Sequence, residues 1–200
     1  MAGGFVFVVG PSGSGKDSLI GYARTALTGN DAVVFPRRIV TRASSAHENH
    51  DTIDEAAFAK GEAEGAFALH WRAHGLGYAI PNSALDAAEH GKIVVCNVSR
   101  RVVPWSRIHL LNVAVVEVTA PVEVLAARLA GRARVEDGDL AARLARSLEV
   151  WTPVDASIVN DRSIEEAGRE LIGFIARHAA SLRPSAPEDR LVPRYASDVF

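Results

Sequence analysis

The run Gly10-Pro-Ser-Gly-Ser-Gly-Lys-Asp-Ser18 constrains this chain more than any other segment. It follows Phe5–Val9, a short β-branched and aromatic run that reads as a buried strand. It leads into Asp17–Leu27, where Leu19, Ile20, Ala23 and Leu27 recur at helical spacing. A glycine-rich turn between a strand and a helix is the setting in which the P-loop motif gains meaning. Glycines let successive backbone N–H groups turn inward around a phosphate, and the helix N-terminus adds partial positive charge. Gly10, Pro11, Ser12, Gly13, Ser14, Gly15, Lys16, Asp17 and Ser18 are therefore the expected nucleotide-binding residues, ATP the expected nucleotide, and Lys16 the catalytic cation at the β- and γ-phosphates.

Two positions depart from the common arrangement. A Ser or Thr normally follows the lysine and meets Mg²⁺; here that residue is Asp17, and the hydroxyl comes one later, at Ser18. Asp17 either binds Mg²⁺ through water or completes the acidic first turn of a helix, and Ser18 is then free for the α-phosphate. P-loop proteins also often end a neighbouring strand with a metal-organising aspartate, whereas Ile93–Cys96 runs into Asn97. Mg²⁺ is expected nonetheless, because the phosphates themselves recruit it.

The rest of the chain fits an α/β domain. Lys92–Val98 and Val113–Thr119 read as buried parallel strands, and Ala156–Val159 as a short strand. Residues 31–41 read as a further strand flanked by arginines. Helical patterns cover 53–64, 83–90, 121–129, 139–148 and 164–182, the last with a core face of Ile164, Ala167, Leu171 and Phe174. Residues 43–52 look irregular, and 66–78 carry no clear period. Alternating strands and helices imply a parallel sheet covered on both faces. Over 200 residues the net charge is −2, which gives no global reason to expect nucleic acid or an anionic membrane as partner. The single cysteine, Cys96, excludes an intrachain disulfide and suits a reducing cytoplasm. No run approaches the roughly 18 apolar residues of a membrane span, and the N-terminus lacks a signal-peptide pattern. His70 and His74 have the spacing of a zinc pair, but Gly75 breaks a helix there. Trp71, Trp105 and Trp151 are expected to pack. Residues 183–200 read as a free tail or as an arm that docks on a second copy to form a homodimer.

The motifs carry a resemblance beyond the phosphate loop. Thr41-Arg42, Gly65-x-Phe67, Gly75-x-Gly-Tyr78, Arg128-Leu129-x-x-Arg132, Arg143-Leu144 and Asn160-Asp161 stand in the order found in the guanylate-kinase-like branch of P-loop kinases. Within that branch the chain is most similar to the ribose 1,5-bisphosphate phosphokinases of phosphonate breakdown. GPSGSGKDSL, Arg38-x-x-Thr41-Arg42, Glu48-Asn49-His50, Ala68-Leu-His-Trp-x-Ala-His-Gly-Leu76 and Asn97-Val-Ser-Arg100 carry that closer likeness. The resemblance implies a three-layer P-loop sandwich over 1–182, with an acceptor-binding insert at about 37–80 and a mobile lid at about 130–139. It implies ATP and ribose 1,5-bisphosphate as substrates and 5-phosphoribosyl 1-diphosphate as product. Guanylate kinases read guanine partly with two acids; the corresponding positions here are Leu69 and Asn97.

A bisphosphate acceptor and ATP repel one another, so the site needs fixed cations, and arginine grips phosphate bidentately. Arg38 and Arg42, with Arg37 behind them, are expected on the acceptor phosphate together with Tyr78. Ser99 and Arg100 are expected on the sugar or its other phosphate, and His50 as a hydrogen-bond donor to a phosphate. Arg128 and Asn160 fall on the ATP side, while Arg132 and Arg143 are the expected lid cations that clamp the transferring group. The competing readings are a nucleoside monophosphate kinase with altered base choice and a guanylate-kinase-like module that only binds partners.

Overall fold

The computed structural model describes residues 3–43, 50–73, 75–130 and 153–182. Strand β1 (Gly4–Val9) runs into the glycine loop and helix α1 (Lys16–Ala26). Strands β2 (Val33–Val34), β7 (Ile93–Asn97), β8 (Val113–Thr119) and β9 (Ala156–Val159) join β1 in a sheet of order β2-β7-β1-β8-β9. Every neighbouring pair in it is parallel. Such a sheet must be covered on both faces, and β1 shows how. Phe5, Phe7 and Val9 point into one core cluster, and Val6 and Val8 into the other. Leu19, Ile20 and Ala23 of α1 and Ala167, Leu171, Phe174 and Ile175 of α6 (Ile164–Ser181) cover the second. Helices α3 (Ser83–Glu89) and α4 (Val103–His109) supply Ala84, Ala88 and Val103 to the first. Helix α5 (Val122–Ala130) follows β8.

A second sheet of order β4-β3-β6-β5 is built from β3 (Arg38–Val40), β4 (His50–Thr52), β5 (Phe67–Ala73) and β6 (Leu76–Pro81). Its inner face sends Leu69, Trp71 and Ile80 into the cluster that holds Phe5, Phe7 and Cys96. Its outer side is closed by α2 (Glu55–Glu64), whose Phe58 is fully buried against Phe67 and Ala79. Gly77 of β6 makes that packing possible: a Cβ there would lie 2.6 Å from the Phe58 ring.

The structure corrects several sequence expectations. Residues 31–41 form two strands in different sheets, not one. Pro36 cannot donate to a ladder and sits between β2, which pairs with β7, and β3, which pairs with β4 and β6. The stretch read as irregular ends in β4, and the unassigned stretch is a hairpin of β5 and β6. A 3₁₀ turn at Arg100–Val102 and helix α4 fill a segment with no expected element. Ile164 is 41% exposed. It is the first residue of α6, beside a Ser163–Glu166 capping box that turns this end of the helix to solvent. Among the described residues no helix is long and apolar enough to cross a membrane.

Candidate phosphate and acceptor site

The glycine loop lies at the C-terminal ends of the parallel strands, where ligands gather in such sheets. Gly15 caps α1 with φ +89°, in the left-handed region. A Cβ at Gly15 would stand 2.2 Å from Nδ2 of Asn160, so this turn needs glycine twice over. Lys16 lies across the loop, its Nζ donating to the carbonyls of Gly10 (2.8 Å) and Pro11 (2.7 Å). Ser14 is fully buried, Ser12 and Ser18 are exposed, and Asp17 is exposed on the first turn of α1.

Asn160, just past β9, is 6% exposed and holds the loop from below. Its Nδ2 donates to the Ser14 carbonyl at 2.7 Å, and its backbone N–H to Thr119 at 2.7 Å. Its own carbonyl accepts from Arg128 Nη2 at 3.0 Å. An aspartate at this position keeps the shape but loses the amide donor, so the buried Ser14 carbonyl goes unpaired. Asn160→Asp is expected to cost about 1–3 kcal/mol of stability and to weaken ATP binding. Thermal unfolding with and without ATP measures both; an unshifted midpoint with normal ATP affinity counts against this role.

The two sequence departures meet one another. Asn97 Nδ2 donates to Asp17 Oδ1 at 2.7 Å, joining the end of β7 to the first turn of α1. Ser99, two residues on from Asn97, caps the 3₁₀ turn by accepting from Arg101 N–H at 3.3 Å. Arg100 is largely buried and pairs with Glu117 of β8 at 3.1 Å.

Of the residues expected on the acceptor, Arg38, His50 and Tyr78 lie on the second sheet. Arg38 and His50 are register partners on β3 and β4, and Val40 pairs with Tyr78. The Tyr78 ring stacks on Trp71 (centroids 5.5 Å apart, planes 8° apart), and the Arg38 guanidinium lies 5.3 Å from the Tyr78 ring centre. Trp71, Tyr78 and Arg38 thus form one pile. The Arg38 Nε is buried and has no hydrogen-bond partner among the described residues. His50 is 2% exposed. Arg37 turns the other way, pairing with Asp51 (3.0 Å) and donating to the His50 carbonyl (3.0 Å). Arg42 lies just beyond β3, where its carbonyl accepts from Thr52 Oγ1 at 3.1 Å. Burial pushes the Cys96 thiol well above its usual range, the nearby Arg38 charge opposing only weakly, so this cysteine packs rather than reacts.

The chain is 54% identical to a ribose 1,5-bisphosphate phosphokinase PhnN from Methylobacterium radiotolerans, over 88% of this chain and 98% of that one. This chain belongs to the ribose 1,5-bisphosphate phosphokinase PhnN family. Relatives in the family from Rhodopseudomonas palustris and Bradyrhizobium diazoefficiens are 49% and 47% identical, over 80% and 86% of this chain and 82% and 88% of theirs. The resemblance read from the motifs is thereby borne out. No protein-family model matches the chain. A guanylate kinase structure from Anaplasma phagocytophilum aligns with a TM-score of 0.61 at 20% identity, covering 89% of this chain and 87% of that one. A sugar kinase structure from Janibacter aligns with a TM-score of 0.51 at 16% identity, covering 89% and 97%. Both likenesses concern the fold, and they agree with a guanylate-kinase-like P-loop sandwich.

In this PhnN-family chain the structure brings the loop residues, Asn97, Arg128 and Asn160 to one group, and Arg38, His50 and Tyr78 to another on the second sheet. Arg132 and Arg143, the lid at about 130–139, and Glu48, Asn49 and His74 lie outside the described residues, as do the tail and Trp151. Sequence reasoning missed Glu117 as the partner of Arg100, Trp71 as the floor of the Tyr78 stack, and the bond between Asp17 and Asn97. The one available signal for Glu117 was a charge inside an otherwise apolar strand.

Proposed function

We propose that this chain transfers the γ-phosphoryl group of ATP to ribose 1,5-bisphosphate, giving ADP and 5-phosphoribosyl 1-diphosphate. An oxygen of the acceptor's 1-phosphate forms the new bond to the γ-phosphorus, and the bond from that phosphorus to the ADP oxygen breaks. The attacking oxygen is already deprotonated near neutral pH, so no general base is needed. Loop N–H groups and Lys16 hold the β- and γ-phosphates, and Arg132 and Arg143 close on the transferring group. Arg38, Arg42 and Tyr78 take acceptor phosphate, His50 donates to a phosphate, and Ser99 and Arg100 hold the sugar or its other phosphate.

The observation that carries this reading is the charge on the acceptor face. Arg38 stands over Tyr78 on a face where Leu69 is 1% exposed in the core. A cation beside an apolar wall suits a small phosphorylated sugar; a guanine ring needs acceptors there. Mg²⁺ bound with ATP would neutralise charge on the phosphates. The residues fit it: Mg²⁺ takes one or two carboxylates plus substrate phosphates, and Asp17 offers an exposed carboxylate beside the phosphate loop. Phosphorus NMR of ATP with ribose 1,5-bisphosphate tests the proposal: the diphosphate resonances of the product must appear with those of ADP, and their absence refutes it.

The stack also gives Tyr78 a divisible role. Tyr78→Phe keeps the ring under Arg38, whereas Tyr78→Ala removes it. The alanine variant is expected to raise the acceptor KM beyond that of the phenylalanine variant by about 2- to 30-fold, the range of a cation–π contact. Equal values for the two variants would show that the ring does not hold Arg38 in place.

A further inference from the structure

The common phosphate loop places a neutral hydroxyl on the helix after the lysine and an acid at the end of a strand, and the two together hold Mg²⁺. In this chain the acid, Asp17, is on the helix, and the neutral residue, Asn97, ends the strand. These residues lie 80 positions apart and are bonded at 2.7 Å. The pair retains one anionic group and one neutral oxygen-bearing group, with their places exchanged.

We propose that Asp17 and Asn97 are a transposed metal pair, in which Asn97 is the positioning residue that fixes the Asp17 carboxylate toward the metal of the bound ATP complex. The inference rests on the kinase reading above and extends it to two residues the common motif does not use in this way. A carboxylate only accepts hydrogen bonds, so the Asn97 amide must turn its NH₂ toward Asp17. That contact engages Oδ1 and leaves Oδ2 for the metal or a water bound to it. The alternative, an acidic first-turn residue that only complements the helix dipole of α1, needs no side-chain partner on the sheet. Asp17 instead directs its bond across to the sheet, at the C-terminal end of β7, which is the register neighbour of β1 and its loop. Partners that orient metal-binding carboxylates matter nearly as much as the ligands themselves.

The test reads metal binding without turnover. Mn²⁺ replaces Mg²⁺ as a spectroscopic probe, a non-hydrolysable ATP analogue supplies the phosphates, and no acceptor is present. Mn²⁺ affinity of the protein–nucleotide complex is measured by electron paramagnetic resonance, alongside metal-free nucleotide affinity and thermal unfolding. Asp17→Asn and Asn97→Leu are each expected to weaken Mn²⁺ binding by about 10-fold or more. The exchange variant Asp17→Asn with Asn97→Asp returns the acid to the strand and is expected to recover affinity to within about threefold of the starting protein. Unchanged Mn²⁺ affinity in Asp17→Asn or Asn97→Leu overturns the proposal, as does an exchange variant no better than Asp17→Asn. A shift confined to the unfolding midpoint marks a purely structural bond and also overturns it. Failure of the unaltered protein to bind the nucleotide would instead overturn the kinase reading. An acceptor other than ribose 1,5-bisphosphate leaves every one of these measurements unaffected.

Discussion

Lys16→Met is expected to lower kcat by at least about 10²–10³-fold, the effect of removing one preorganised charge from a phosphoryl-transfer site. The structure explains why the fold should survive. Lys16 is only partly buried, and its Nζ bonds to the Gly10 and Pro11 carbonyls, which belong to the loop rather than the core. Methionine keeps the length and apolar stem of the side chain while removing the charge. Circular dichroism should therefore match the unaltered protein, and the unfolding midpoint should move little. ATP affinity should fall less than kcat, because the lysine's contribution grows as charge shifts onto the leaving oxygen. A folded Lys16→Met protein that turned over at a near-normal rate would remove the phosphate loop from the mechanism.

The second large effect concerns acceptor choice. Ribose 1,5-bisphosphate should be phosphorylated while GMP is left essentially untouched. Guanine presents N–H donors that need acceptors when buried. Leu69 is 1% exposed inside the core, and Asn97 spends its NH₂ group on Asp17. With two carboxylates missing, unpaired donors cost about 1–3 kcal/mol each, or roughly 30- to 10⁴-fold in discrimination together. Ribose 5-phosphate should also be poor, since it lacks the 1-phosphate oxygen that attacks. ADP release measured with the three acceptors at equal concentration decides the matter. Faster turnover with GMP would leave the P-loop fold standing and refute the acceptor assignment.

Much of this was legible in the sequence because the signals were local. Nine consecutive residues specified the phosphate loop, and the run Phe5–Val9 feeds alternate side chains to two cores. The hairpin of β5 and β6 was not legible because its own alternation is broken. A register shift between Phe67 and Leu69 sends Ala68 and Leu69 into the same cluster, so the period of two fails just where it is needed. The division of 31–41 turned on Pro36, whose effect depends on which sheet each half joins. Within the site, residue types identified Asp17 and Asn97 as unusual, but only the fold shows that they touch. Tyr78 was nominated from resemblance, and its stacking on Trp71 follows from the pairing of β5 with β6.

The bond from Asn160 to the Ser14 carbonyl joins residues 146 positions apart. Contacts of such span form late, because a long loop must close before they contribute. A growing chain that has emerged through α1 already contains every residue of the glycine loop, yet lacks the strap that holds it beneath. The loop gains that strap only after β9 has docked beside β8. Nucleotide should therefore act as a ligand of the assembled sheet: it stabilises that state by mass action and offers little help to a chain that still lacks Asn160. Deletions that stop short of Asn160 should lose nucleotide binding even though the phosphate-binding sequence itself is intact.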